Sequence, residues 1–102
     1  MKARLILDDR RDYPGGLIQT LVIWILPEPV PGSNHNFKYR LFFGRPGERL
    51  IGYDNERGKG DHRHVEGREE PYVFSGARQL LDDFDADVAR WRAARQGTDD
   101  TD

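Results

Sequence analysis

The chain has 102 residues, a formal net charge of −2 and no cysteine. Its length fits one domain with one modest core, and the lack of cysteine excludes disulfides and thiolate metal sites, as suits a reducing compartment. The longest apolar run, residues 21–26, is far shorter than the roughly 20 residues of a membrane span. Charges flank the apolar run near the N-terminus, unlike a signal peptide. We therefore expect a soluble, cytoplasmic protein that does not contact a membrane.

The charge is unevenly distributed along the chain. Residues 38–64 hold seven Lys or Arg against four Asp or Glu, whereas residues 75–102 hold four against seven. A basic surface can attract phosphates while an acidic helix and tail face elsewhere. Charged residues also simply keep a small domain soluble, so charge alone leaves both interpretations open.

The first third of the chain has the pattern of β-strands. Residues 2–8 alternate weakly and predict a first strand, which a Pro-Gly-Gly turn follows. Residues 17–26 are apolar on both sides from Leu21 onward, which predicts a central strand covered on both faces. Residues 27–36 contain three prolines and are predicted to be a loop.

A hairpin and an edge strand are predicted next. Residues 37–44 alternate clearly, and a Pro-Gly turn connects them to a partner strand at residues 48–54. Residues 70–74 are apolar enough for a short strand, and Pro71 favours a position at the sheet edge because proline cannot donate to a ladder.

Residues 75–95 form the segment with a helical period, and Ser75 is its candidate N-cap. We expect its apolar stripe to pack on the sheet, with Trp24 or its strand neighbours beneath it. Residues 97–102 have nothing to bury and are expected to form a disordered tail after a single domain of residues 1–96. The stripe consists of Ala77, Leu80, Leu81, Phe84, Val88 and Trp91.

The predicted fold class is α+β: an antiparallel sheet of about five strands with one C-terminal helix packed on one face. One helix covers one face only. The second apolar side of the strand at residues 17–26 then needs another cover, either a second copy of the chain in a homodimer or a partner protein.

The segment YDNERGKGDHRH, residues 53–64, is predicted to be a polar loop with eight acidic, basic or histidine side chains. A helix–loop–helix calcium site needs glycine at its sixth position, where this chain has Lys59, and flanking helices. A phosphate-binding glycine-rich loop needs wider spacing and a following helix. The calcium site is excluded and the phosphate-binding loop is disfavoured, whereas an idle, exposed turn remains open.

A metal site is a further alternative. His62 and His64 point to the same side of an extended chain, and Asp61 and His35 are available to complete a set of ligands. With only three histidines and no thiolate, we favour a site with no metal and no other cofactor.

The favoured interpretation is a metal-independent RNA site. RNA cleavage needs a base for the 2′-hydroxyl and an acid for the leaving oxygen, and histidine titrates in the right range for both roles. Cations stabilise the charge that grows on the phosphate, and tyrosines such as Tyr39 can stack on a base. The candidate catalytic residues are His62, His64 and Arg63. The candidate RNA- or phosphate-binding residues are Lys38, Arg40, Lys59, Tyr53, Asp54 and Asn55.

Three stretches of the chain, WILPEPVPGSNHNFKYRLFF, YDNERGKGDHRH and EEPYVFSGARQLLDDFDADV, resemble the TumE family of small bacterial toxins from type II toxin–antitoxin pairs. The resemblance spans residues 2 to about 92, and the run YDN…GKGDHRH…Y.F is its most specific part. It implies a cytoplasmic growth inhibitor encoded beside an antitoxin with a helix-turn-helix domain. Endoribonuclease activity is inferred from the residues, and the alternative is a non-catalytic protein-interaction module that acts through an exposed sheet face.

Overall fold

The computed structural model describes residues 2–99, with side chains up to residue 95. Six antiparallel strands form one sheet in the order of the chain, followed by one helix, which confirms the α+β class and gives six strands instead of about five. No helix in residues 2–99 is both long enough and apolar enough to cross a membrane. The elements are β1 (Arg4–Asp12), β2 (Ile18–Ile25), β3 (Phe37–Arg45), β4 (Glu48–Glu56), β5 (Gly60–Val65), β6 (Arg68–Pro71) and α1 (Ala77–Asp99).

The extra strand comes from the segment that was predicted to be a polar loop. Residues 53–64 are instead most of a β-hairpin, in which β4 continues to Glu56 and β5 begins at Gly60. Gly58 and Gly60 have φ angles of 80° and 76°, a region that glycine enters without steric cost. The loop prediction was wrong because the strand β5 is almost entirely polar, so no apolar alternation marks it.

The helix covers one face of β3 and β4, as predicted. Phe84 is fully buried, with Leu80 and Val88 beside it, and the Trp91 ring meets that of Phe43 edge-on, with centroids 5.4 Å apart. The helix begins at Ala77, so Gly76 and not Ser75 directly precedes it.

The edge strand and the tail differ from the predicted bounds. The edge strand β6 is Arg68–Pro71, which does keep Pro71 at the sheet edge as predicted, but Tyr72 to Phe74 lie outside it. The helix runs to Asp99, and the rest of the predicted disordered tail, residues 100–102, lies outside the described residues.

The two faces of the sheet are distinguished by register. Directly paired residues of an antiparallel sheet have their side chains on the same face. Ile23 pairs with Tyr39 on the face that α1 covers, called the helix face. The opposite side, called the open face, carries Val22, Trp24, Lys38, Arg40, Phe42, Arg49, Gly52, Asp54, His62 and His64.

The strand β2 is therefore interior to the sheet but covered on one face only. Ile23 lies beneath the core, while Trp24 is on the open face with 36% of its surface exposed. The prediction that this strand is covered on both faces was wrong for the single chain. Of the alternatives predicted beneath the helix, Trp24 or its strand neighbours, it is the neighbour Ile23 that lies in the core.

A β-bulge between β3 and β4 reverses the expected side of one residue. Phe43 pairs with Ile51 but Gly44 pairs with Arg49, so Leu50 is the extra residue. Both Leu50 and Ile51 are buried in the core, and Arg49 is turned to the open face with Gly44. A side chain at Gly44 would place its Cβ 2.0 Å from the Glu48 carbonyl oxygen, so the bulge requires glycine at this position.

Candidate functional site

His62 and His64 lie together on the open face. They are alternate residues of β5, and their ring centroids are 6.5 Å apart. The side chain of His64 is 12% exposed and that of His62 is 19% exposed. The two rings therefore have limited access to solvent, and the structure brings together the pair that was predicted as acid and base.

His64 is held between a cation and a carboxylate. The Nη2 atom of Arg49 is 3.0 Å from Nδ1 of His64, and because a guanidinium can only donate, Nδ1 accepts this bond. In a neutral ring the proton then lies on Nε2, which is 3.5 Å from Oδ1 of Asp54. That distance is an electrostatic contact rather than a strong hydrogen bond. A carboxylate that orients a histidine in this way is a common feature of acid–base sites.

Gly52 makes room for Arg49. Gly52 pairs with His64 across the two strands, and a Cβ at Gly52 would lie 2.6 Å from Cδ of Arg49. The missing side chain leaves a trough in which the aliphatic part of Arg49 crosses the sheet to reach His64. Sequence analysis missed Arg49 because simple alternation puts residue 49 on the same face as the buried Ile51, and the bulge changes this. A glycine between the buried residues Ile51 and Tyr53 was the available signal, since glycine inside a strand often marks a bulge or a close approach.

His62 has a different environment. Its Nε2 atom is 2.6 Å from the carbonyl oxygen of Lys59 and must donate to it. Its Nδ1 atom is 3.1 Å from Oε1 of Glu69, but the alignment is poor and Nδ1 makes no hydrogen bond within the described residues. Nε2 therefore carries a proton, and the Glu69 carboxylate adds negative charge beside Nδ1.

Two predicted cations, Lys38 and Arg40, lie on the same face as the histidines. Arg40 is exposed. In the register of the sheet it lies opposite Asp54 on β4, which in turn lies opposite His62 on β5. Lys38 donates to the carbonyl oxygen of Asn55. With Arg49, Asp54 and others, Lys38 and Arg40 line a cavity of about 300 Å³. The predicted residue Lys59 is in the β4–β5 turn, exposed, with Nζ 3.6 Å from Glu56.

Arg63, predicted to be catalytic, is not brought to the histidines. It lies on the helix face, where Nε and Nη2 are each 2.8 Å from the carboxylate of Asp87 on α1. Tyr53 donates to the same carboxylate at 2.5 Å and accepts from Nε of Arg63 at 3.0 Å. Burial alone would raise the pKa of Asp87, but the hydrogen bonds from Arg63 and Tyr53 outweigh it, and the pKa lies below its ordinary value. Arg63 and Tyr53 therefore attach α1 to the sheet.

Asn55 and the two tyrosines are structural as well. Asn55 is fully buried; its Oδ1 accepts from the Tyr39 amide at 3.0 Å and its Nδ2 donates to the Phe37 carbonyl at 2.7 Å. Tyr39 and Tyr53 are each almost fully buried. Neither ring can stack on a base without unfolding part of the core.

Asp61 and His35, the other members of the alternative metal set, form a cluster on the helix face. Asp61 accepts from Ser33 at 2.6 Å, from Tyr39 at 2.6 Å and from Nε2 of His35 at 2.7 Å. Burial alone would raise the pKa of Asp61, but these three hydrogen bonds outweigh it and the pKa is lowered. The Phe37 amide donates to Nδ1 of His35 at 3.1 Å, so both ring nitrogens are occupied.

The alternative metal set is therefore divided between the two faces of the sheet. Asp61 and His35 are on the helix face, whereas His62 and His64 are on the open face. Within the described part of the chain no three His, Asp or Glu side chains converge as ligands would. The cluster around Asp61 instead fastens the proline-rich loop to the start of β5.

The fold and the site together define a small antiparallel α+β protein whose open face carries two histidines with Lys38, Arg40 and Arg49. The chain belongs to the TumE family, because the family model described as Toxin TumE matches residues 2–92. This confirms the resemblance found in the sequence, and membership of a toxin family implies an antitoxin of some kind. Comparisons with curated proteins and with solved structures found no significant match.

Proposed function

We propose that this chain is the toxin of a type II toxin–antitoxin pair and that it inhibits growth by cleaving RNA without a metal ion. The observation that carries the proposal is the cluster on the open face: two histidines 6.5 Å apart, one of them between Asp54 and Arg49. Lys38 and Arg40 on the same face add positive charge for a phosphate.

In this mechanism His64 is the base and His62 is the acid. A bound phosphate attracts Arg49, which leaves Nδ1 of His64 and donates to the phosphate oxygens instead. Nδ1 then takes the proton of the 2′-hydroxyl, whose oxygen attacks phosphorus, while His62 gives a proton to the leaving 5′-oxygen. The products are a 2′,3′-cyclic phosphate and a 5′-hydroxyl end, and exchange with water restores both rings. Arg49 and Arg40 stabilise the charge that grows on the phosphate.

The partners belong to the same proposal. The protein acts in the cytoplasm, where its RNA substrate is found, and an antitoxin with a helix-turn-helix domain neutralises it. A homodimer formed through the exposed Trp24 and Leu5 is a competing use of the same surface.

The same exposure supports a second candidate function, a non-catalytic module that binds another protein. Leu5 is 45% exposed, Ile6 is 44% exposed and both lie near the edge of the sheet with Trp24. Apolar surface of this kind is often an interaction site. Inhibition would then come from occupying the partner and would need neither histidine.

Incubating the purified protein with total RNA, with and without EDTA, separates these functions. We expect fragments with cyclic-phosphate ends that EDTA does not prevent, and loss of both cleavage and growth inhibition in His64→Ala. Intact RNA together with full growth inhibition by the His62→Ala, His64→Ala double variant would support the interaction module and contradict the nuclease. Cleavage that EDTA abolishes would contradict the metal-independent mechanism.

A further inference from the structure

The open face extends beyond the histidines to a tryptophan. Trp24 on β2 is 36% exposed and lies beside Leu5 on β1 and Lys38 on β3, its direct partners in the sheet. Tryptophan usually buries most of its large ring or uses it in recognition. Its flat face is therefore a distinct feature of this surface, outside the catalytic cluster.

Positive side chains connect the histidines to Trp24. Lys38 lines the cavity of about 300 Å³ that it shares with Arg40 and Arg49. It also lines a second cavity, of about 790 Å³, whose other walls are the proline-rich residues 26–31 and Arg57. Arg40 and Arg57 form no ion pair with any described residue. Lys38 thus lies where the two cavities meet. The carboxylates Asp54, Glu56 and Glu28 also line these cavities, against the four cations Lys38, Arg40, Arg49 and Arg57.

The dimensions of this path suit a nucleic-acid strand of a few nucleotides. From β5 to β2 there are three strand spacings of about 4.8 Å, or roughly 14 Å in all. Stacked nucleotides of one strand rise about 3.4 Å each, so a strand held at the histidines reaches Trp24 within a few residues.

We propose that the open face binds single-stranded RNA across the strands β5, β4, β3 and β2, and that Trp24 stacks on a base of that strand. This inference rests on the proposed function and adds the substrate class and a binding subsite to it. Aromatic stacking beside cations is how single strands are held without sequence readout, and a paired base inside a duplex has no face free to stack. Lys38 beside the ring and Arg40 two residues along the same strand favour a phosphate-bearing partner over an apolar protein surface.

The fluorescence of Trp24 gives a direct test. The chain has two tryptophans, so Trp91→Phe leaves Trp24 as the only one. The probe is a short single-stranded 2′-O-methyl RNA, which lacks the attacking hydroxyl and stays intact whether or not His64 is catalytic. We expect it to quench Trp24, and the same strand annealed to its complement to quench much less.

The affinity for the same RNA provides the second readout. It is measured by the fluorescence anisotropy of a dye attached to that RNA. We expect Trp24→Ala to weaken binding about tenfold, as loss of one stacked base does, and Trp24→Phe to restore most of it. Val73→Ala is the matched control, because Val73 is another exposed apolar residue but lines a cavity with Asp61 on the helix side. Its affinity should be unchanged.

Two results would overturn the inference. If RNA binds but leaves the fluorescence of Trp24 unchanged, the subsite is wrong while the nuclease proposal stands. If a protein partner or a second copy of the chain quenches Trp24 and RNA does not, the open face is a protein interface. Loss of cleavage in His64→Ala is judged separately on total RNA, so the two proposals can fail independently.

Discussion

The protein contains two histidine–aspartate pairs, and they differ in how fully their atoms are bonded. On the helix face His35 and Asp61 are 2.7 Å apart, and Asp61 also accepts from Ser33 and Tyr39. On the open face His64 and Asp54 are 3.5 Å apart, and the other ring nitrogen of His64 bonds only to Arg49. A saturated pair stabilises the fold, whereas a loosely held pair beside an exchangeable arginine can bind and react. Residue type alone therefore does not identify a reactive histidine.

Replacing the two carboxylates, Asp61 and Asp54, one at a time should give the largest difference in stability between the two pairs. Asp61→Ala leaves three largely shielded donors, on Ser33, His35 and Tyr39, without their acceptor, and we expect the free energy of unfolding to fall by about 3–5 kcal/mol, as for a broken polar network inside a protein. Asp54→Ala should cost less, because the buried Asp54 carboxylate lies 3.5 Å from His64 and 3.7 Å from Arg49, too far for strong hydrogen bonds, but it should reduce RNA cleavage. Urea unfolding measures the first effect and a cleavage assay the second. Equal losses of stability in the two variants would contradict the comparison.

Replacing His35 should likewise cost more stability than replacing His64, but the difference should be smaller than for the two aspartates. His35→Ala removes one donor to Asp61 and the stacking of the ring on Phe74, whose centroid is 3.8 Å away. We expect a loss of about 2 kcal/mol. His64→Ala should melt close to the wild-type temperature and abolish growth inhibition. Thermal melts of the two variants, followed by growth assays from a controlled promoter, check both statements. A strongly lowered melting temperature in His64→Ala would mean that this ring is also structural.

Acid should weaken the contacts on the helix face. The pKa values of Asp61 and Asp87 lie below the ordinary value of 3.8 in the folded state, so the unfolded chain takes up protons at a higher pH than the folded one. The stability that these carboxylates contribute is therefore complete well above pH 3.8 and is lost as the pH falls through their folded pKa values. When the melting temperature is measured at pH values below about 4, it should fall less steeply with decreasing pH in Asp87→Asn than in the wild type. An identical pH dependence would show that Asp87 is not linked to unfolding.

The smallest effect on stability is expected at Gly52. A Cβ there meets only the flexible side chain of Arg49, so Gly52→Ala should change the free energy of unfolding by less than about 1 kcal/mol. It should nevertheless displace the Arg49 guanidinium from the position where it meets the phosphate and so weaken RNA cleavage. Arg49→Ala should weaken cleavage at least as much because it removes that cation, and the double variant should be no worse than Arg49→Ala, because Gly52→Ala acts only through Arg49. Additive losses would mean that Gly52 and Arg49 act separately.

Sequence analysis predicted the apolar framework better than the polar one. The stripe that includes Phe84 and Val88 has a helical period because its members meet one core, and that period is readable without a structure. The hairpin at residues 53–64 could not be recognised from the sequence, because both sides of β5 are polar: Asp61 and Arg63 make hydrogen bonds on the helix face, and His62 and His64 lie on the open face. A strand between two polar clusters has no hydrophobic alternation to reveal it.

Some of the site residues could likewise be predicted from local alternation, and others could not. The alternation of β5 was enough to put His62 and His64 on one side, and it also separates Arg63 from them once the segment is recognised as a strand. Arg49 required knowledge of the bulge at Gly44. The pairing of His35 with Asp61 links residues 26 positions apart, a contact that no local pattern in the sequence encodes.

The order of the strands has a consequence for how the protein forms. Every strand pairs only with its neighbours in the chain, so each pairing closes a short segment and little chain entropy opposes it. The sheet can therefore assemble hairpin by hairpin as the chain leaves the ribosome. Its apolar side stays uncovered until α1, the last element, is synthesised and Asp87 reaches Arg63. A ribosome that stalls before residue 77 would release a sheet with bare aromatic rings, a species prone to aggregation instead of an active protein.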